Sequence, residues 1–257
     1  MYLERFRVDG EVAVITGGGR GIGYACAEAL GEAGAYLVII EPDLGAAQTA
    51  VTALRAKGYG AEARAGDVRD ADRMTAIADD LARRGSPATI LISNAGIGKG
   101  GVDAQDVSDA DWLGMMDVNL NGVFWCARAF GSHMVKAGRG SIVNIGSMSG
   151  TIANRPQPQT AYNVSKAAVH HLTRSLAGEW AAQGVRVNAV APTYIETPMV
   201  LANPENAPRI AIWLKDTPMG RMGQADEIAS VVLFLASRAS SLMTGAIVAV
   251  DGGFTVW

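Results

Sequence analysis

The apolar run Glu11–Thr16 (EVAVIT) leads directly into Gly17-Gly-Gly-Arg-Gly-Ile-Gly23, and Tyr24–Ala33 then carries apolar residues at helical spacing. Strand, glycine turn and helix in that order constrain the fold more than any other stretch of the chain. Gly17 permits the turn, Gly21 lets backbone approach a pyrophosphate, and Gly23 lets helix and strand pack closely. The N–H groups and dipole at the helix start, with Arg20 and Ile22 beside them, suit the phosphates of a dinucleotide.

Later segments repeat the alternation. Tyr36–Ile40 (YLVII) reads as a second strand ending at Glu41, about 20 residues after the glycines. A carboxylate there can accept hydrogen bonds from adenosine ribose hydroxyls and would repel a 2′-phosphate, which favours NAD over NADP. Arg20 pulls the other way, since it could pair with that phosphate. A strand over Glu62–Ala65 leads to Gly66-Asp67-Val68, where Asp67 could bond the adenine amino group. Ala88–Ser93 reads as a buried strand, and the small residues of Asn94-Ala95-Gly96 would let a cofactor pass over its end. Ser141–Ile145, Val185–Ala191 and Ile247–Val250 complete the strands. Helices are expected over Leu44–Lys57, Ala71–Arg84, Asp109–Met116, Asp117–Ala137, Thr160–Gln183 and Gln224–Ala236. Pro192–Lys215, with its four prolines, reads as a less regular segment, and 193–215 as a lid over a pocket. The pattern predicts one α/β domain over residues 1–257, a Rossmann-type doubly wound parallel sheet with ligands at the strands' carboxyl ends. Residues 12–145 would mainly bind cofactor, and 146–220 would supply catalysis and substrate binding.

The chemistry concentrates in Gly146–Lys166 (GSMSGTIANRPQPQTAYNVSK). Tyr162 and Lys166 are four residues apart, so on a helix the ammonium lies one turn from the phenol. A free tyrosine titrates near ~10. The neighbouring cation is expected to lower that value and fit the hydroxyl for proton exchange. Ser147, delivered by the fifth strand, could hold a substrate oxygen against Tyr162, and Asn119 could bend its helix and hold a water. Ser149, Asn154 and Gln159 could bond several hydroxyls, although the last two would equally serve to cap the loop.

A net charge of −3 and the lack of a long basic run argue against nucleic-acid or anionic-membrane partners. The apolar runs are strand-sized and the start, Met1–Arg7, is too charged for a signal segment, so a soluble cytoplasmic protein is expected. Cys26 and Cys126 read as reduced core thiols, and with His133, His170 and His171 they make no zinc-like spacing; no metal site is predicted.

Thr16-Gly17-x-x-x-Gly21-x-Gly23, Asp67, Asn94-Ala95-Gly96, Asn119, Ser147, Tyr162-x-x-x-Lys166 and the ending Thr244-Gly245…Val250-Asp251-Gly252-Gly253 together resemble the short-chain dehydrogenase/reductase family over nearly the full length. The resemblance implies a seven-stranded parallel sheet and a homotetramer. It implies Tyr162 as acid/base, with Lys166 lowering its pKa and bonding the nicotinamide ribose. Ser147 would hold the substrate oxygen, and Asn119 a water linking Lys166 to solvent. Asn94, Ala95, Gly96, Pro192 and Ile195 would line the cofactor cleft, and Thr197 would meet the nicotinamide carboxamide. Many relatives place the serine thirteen residues before the tyrosine, which selects Ser149. Ser147 is preferred because a strand end fixes it, while the loop Arg155–Gln159 can absorb extra length. Pro192-Thr193 departs from the usual Pro-Gly. Within the family, GSMSGTIANRPQ, AYNVSKAAVHHLTRSLAGEWA and AVDGGFTVW are similar to bacterial polyol dehydrogenases. That implies reversible oxidation of a secondary hydroxyl in a sugar alcohol to a ketose with NAD. An NADPH-dependent ketoreductase of the 3-oxoacyl reductase type, or a non-catalytic dinucleotide-binding module, are the alternatives.

Overall fold

Seven segments form strands: β1 (Val12–Thr16), β2 (Tyr36–Glu41), β3 (Ala61–Ala65), β4 (Ile90–Ser93), β5 (Gly140–Ile145), β6 (Val185–Pro192) and β7 (Ile247–Val250). The computed structural model describes residues 1–257, apart from the side chain of Met199. It pairs the strands in the order β3-β2-β1-β4-β5-β6-β7, and every pairing is parallel. Parallel neighbours need a crossover, and helices supply it: α1 (Gly21–Glu32), α2 (Leu44–Ala56), α3 (Ala71–Arg83), α4 (Asp109–Met116), α5 (Gly122–Ala137), α6 (Thr160–Trp180), α7 (Pro198–Leu201), α8 (Ala207–Asp216) and α9 (Ala225–Ala236).

Alternation along the strands divides the interior into two cores. Ala13, Ile15, Leu37 and Ile39 face one core, which Leu30 of α1, Leu54 of α2 and Ile228 of α9 complete. Val14, Val38 and Ile40 face the other, filled by Met74 of α3, Phe130 of α5 and Leu176 of α6. Cys26 and Cys126 are free and buried, one in each core, and burial pushes both thiols up to about 12. Among the described residues no helix is long and apolar enough to cross a membrane.

Two places are cross-braced by charge. Arg186 of β6 donates to the carbonyls of Ser237, Ser240 and Met243 and to the hydroxyls of Ser141 and Ser240. One guanidinium thereby satisfies carbonyls just past the α9 C-terminus and ties β6 to β5. On the outer strand β3, Glu62 and Arg64 pair with each other at 3.0 Å. They reach Arg84 and Asp80 at 3.0 and 2.7 Å.

Two expectations are corrected. The helix predicted from Asp117 to Ala137 begins instead with a π-helical turn, Asp117–Asn121, which continues α4 into α5. The segment 193–215 is largely helical, because its prolines sit at helix starts: Pro198 follows the N-cap Thr197, Pro204 opens a 3₁₀ turn, and Pro208 lies in the first turn of α8. Proline is tolerated at these positions because the missing N–H has no intrahelical partner there.

Candidate active site

β1 and β4 are neighbours whose crossovers run to opposite sides, and a cleft of about 650 Å³ opens above their carboxyl ends. The glycine turn forms its floor. Gly17 has φ +64°, and a Cβ there would meet Ala95 Cα at 2.9 Å. A Cβ on Gly23 would come within 2.2 Å of the Gly17 carbonyl oxygen, so only glycine fits. Asn94 Nδ2 donates to the carbonyls of Thr16 and Gly17 at 3.1 and 2.8 Å, stitching the end of β4 to the turn. Glu41 Oε1 accepts from Gly19 N–H at 2.8 Å, so the carboxylate at the end of β2 also shapes the turn.

Gly17, Arg20, Gly21, Ile22, Glu41, Asp67, Val68, Asn94, Ala95, Gly96, Pro192, Ile195 and Thr197 all line this one cleft. Asp67 does so with its carboxylate already engaged. It accepts from the Arg69 backbone N–H at 2.9 Å and from the guanidinium at 2.6 Å. The Arg69 hydrogen bond holds it below the usual carboxylate range. Asp67 is thus ion-paired while lining the cleft, and Arg69, not anticipated from the sequence, joins the lining beside it.

At the opposite end stand Ser147, Ser149, Tyr162 and Lys166. Ser147 caps the turn after β5, its Oγ accepting from Ser149 N–H at 3.1 Å and lying 3.0 Å from Ser149 Oγ. Both serines line the cleft with Tyr162, and Ser147 is the one whose hydroxyl acts to lower the phenol pKa. Lys166 is buried; its Nζ donates to the Ile145 carbonyl at 2.8 Å and lies 5.7 Å from the Tyr162 ring centre. Burial lowers Lys166 to about 8. For Tyr162, withdrawal from solvent raises the phenol pKa, against a smaller lowering by Ser147. The lowering expected from Lys166 is therefore overturned in the ligand-free chain: the phenol and the amine are both desolvated, and desolvation dominates.

Asn119 is fully buried in the π turn. Its amide accepts from Ile97 N–H and donates to the Ile97 carbonyl, both at 2.9 Å, and also donates to Ser165 Oγ at 3.2 Å. It thus clamps the loop after β4 to α6 beneath Lys166. His170, one turn beyond Lys166, fills the space under the serine turn, where a Cβ on Gly146 or Gly150 would meet its ring at 2.6 Å. Burial, reinforced by Arg174 and Lys166, lowers it to about 4, so the ring is neutral.

The polar wall differs from expectation at Asn154. Asn154 does not reach the cleft, and its Nδ2 donates to the Tyr194 hydroxyl at 3.1 Å. A connected set of amides takes its place. Gln159 Nε2 donates to Ser149 Oγ at 3.3 Å, Gln157 Nε2 to Gln159 Oε1 at 3.2 Å, and Trp213 Nε1 to Gln157 Oε1 at 3.1 Å. Trp213 stacks on Tyr194 with ring centres 3.8 Å apart. Gln157, Tyr194, Asn203, Asn206, Arg209 and Trp213 all line the cleft. Sequence reading passed over them because they lie in loops and the proline-rich segment, where no periodicity marks an inward face. The Thr193 hydroxyl, at the Pro192-Thr193 departure, is buried without a partner among the described residues.

The family described as enoyl-(acyl carrier protein) reductase matches residues 17–255. Galactitol 2-dehydrogenase of Rhizobium johnstonii is 69% identical over 256 residues, covering 100% of this chain and 99% of that protein. The chain is a short-chain dehydrogenase/reductase. This dehydrogenase/reductase is also 50% identical over 257 residues to the L-tagatose-forming galactitol 2-dehydrogenase of Cereibacter sphaeroides, covering 100% and 99% of the two chains. The crystal structure of a gluconate 5-dehydrogenase from Burkholderia cenocepacia, in complex with NADP and tartrate, matches it with a TM-score of 0.94 at 38% identity over 100% of each chain.

Proposed function

We propose that this short-chain dehydrogenase/reductase oxidises a secondary hydroxyl of an open-chain sugar alcohol, galactitol foremost, to the ketone, with NAD as acceptor and in a reversible reaction. The observation that carries this reading is a single cleft lined by the glycine turn, by Ser147, Tyr162 and Lys166, and by a wall of amides. Both galactitol dehydrogenases named above cover the whole chain, which supports the substrate class. A wall that hydrogen-bonds several hydroxyls would also reject analogues lacking them.

The residues fit a nicotinamide dinucleotide: Gly17 and Gly23 let the turn close tightly against Ala95 and α1 where a Cβ would clash, and Gly21 and Ile22 at the α1 N-terminus line the cleft. When bound, the oxidised nicotinamide supplies a hydride acceptor and a positive charge. Ser147 would hold the reacting oxygen and Tyr162 would take its proton. Lys166 would pass that proton outward to a water held at Asn119, and Thr197 would orient the ring. Positioning would supply most of the rate. Glu41 favours NAD; NADP is a second reading, which Arg20 and Arg69 at the same end of the cleft support. The working assembly is proposed to be a homotetramer.

A panel of sugar alcohols and ketoses, run with NAD and with NADP, tests the reading. Galactitol with NAD should yield NADH at a rate that rises with pH, because the base form of Tyr162 is required. Tyr162→Phe should lower turnover about 100- to 10,000-fold while NAD still binds. No NADH with any polyol, or full activity in the variant, would refute it.

A further inference from the structure

We propose that the cleft also takes sugar acids, with Arg209 holding a terminal carboxylate at the far end of the chain from the reacting hydroxyl. The proposal rests on the dehydrogenase reading above and extends its substrate class from neutral polyols to aldonates.

Arg209 lies in the first turn of α8 and lines the cleft with a side chain only 19% exposed. A guanidinium so enclosed is expected to have close, planar acceptors. Here the carboxylate nearest to it, on Glu205, is 3.6 Å away and itself 62% exposed, and Asn206 Oδ1 stands at 3.5 Å. Both contacts are at or beyond the limit of a useful hydrogen bond. Among the described residues, then, most of its five donors have no good acceptor.

The loop Gly98–Gly101 shows where this cation sits relative to the chemistry. A Cβ on Gly98 would touch the Tyr162 ring at 3.8 Å, one on Gly100 would meet Gln159 Oε1 at 3.3 Å, and one on Gly101 would meet Arg209 Nη2 at 2.8 Å. The loop therefore runs past the reacting phenol, then the amide wall, then the guanidinium, in that order. Three residues of extended backbone span at most about 10 Å, so Tyr162 and Arg209 stand along one wall of the same cleft. A carboxylate at the far terminus would meet the fork geometry of Arg209 while the amide wall reads the hydroxyls between. The reaction balances as for a polyol. The carbinol C–H bond breaks with hydride to NAD, the O–H proton goes to Tyr162, and the products are a keto-acid, NADH and a proton.

The test compares galactitol with sodium galactonate for the wild type and Arg209→Gln, using NAD. The wild type should oxidise galactonate, and in the variant the ratio of galactonate to galactitol kcat/KM should fall ten- to hundredfold, as expected for losing a hydrogen-bonded charge. A ratio left unchanged, or galactitol oxidation with no galactonate oxidation, would overturn the proposal and leave the polyol reading standing. Should neither compound turn over, the polyol reading fails separately, and calorimetric titration of galactonate into the NADH-loaded protein decides the matter. Binding weakened at least tenfold by Arg209→Gln supports the anion site, and equal binding by both proteins, or none by the wild type, removes it.

Discussion

At the level of single residues the site is governed by desolvation. Lys166 sits at about 8 and Tyr162 above its ordinary range because both are shut away from water. In the ligand-free protein the amine should therefore titrate before the phenol. The tyrosinate absorbance difference between wild type and Tyr162→Phe should open only above the ordinary tyrosine range, and a difference already present at neutral pH would contradict this. Glu41 is the other decisive single group. Glu41→Gln keeps an acceptor for Gly19 N–H but removes the charge, so the NADP-to-NAD ratio of kcat/KM should rise about tenfold or more. An unchanged ratio in that assay would show that Glu41 does not set cofactor choice. Tyr162, Lys166 and the glycines were legible in the sequence because spacing alone places them. The sign of the phenol shift was not, since burial is a property of the surrounding packing.

At the level of elements, α6 carries its chemistry on one face and a structural prop on the next turn. His170 supports the serine turn as a neutral ring at about 4, against roughly 6.5 when unfolded. Its folded value is the lower one, so the unfolded chain binds the extra proton. The stability this residue contributes is complete above pH 6.5 and is lost as pH falls toward 4, by up to roughly 3 kcal/mol. Chemical denaturation across that window should show the slope in the wild type and a flatter one in His170→Gln; identical slopes would assign the loss to other groups. The helical spacing of α6 was readable from the sequence, but the seat of His170 was not, because nothing local says that two glycines from a different segment leave a hole for its ring. The helical parts of 193–215 were missed for a related reason: proline marks both loops and helix starts, and only the neighbouring caps decide between them.

The whole molecule was the most legible level. Seven strand-sized runs alternating with amphipathic segments leave few arrangements other than a parallel sheet between helical layers, and the observed order places the cleft where the two halves diverge. What local pattern could not supply was the long-range bracing. Arg186 joins β5, β6 and the end of α9 through six donations. Arg186→Met should leave several carbonyls without a donor and lower unfolding stability by about 3 kcal/mol, read from the denaturant midpoint. A shift within error would show that solvent replaces the guanidinium. The ionic lattice over β3 bears on a different hazard. A parallel sheet leaves its margin strand with unspent backbone donors, an invitation to a strand from another molecule. Here an incoming strand would have to dislodge Arg64 and Arg84 from Glu62 and Asp80 before reaching them. Crowding many copies together should therefore not recruit them into fibrils along that side.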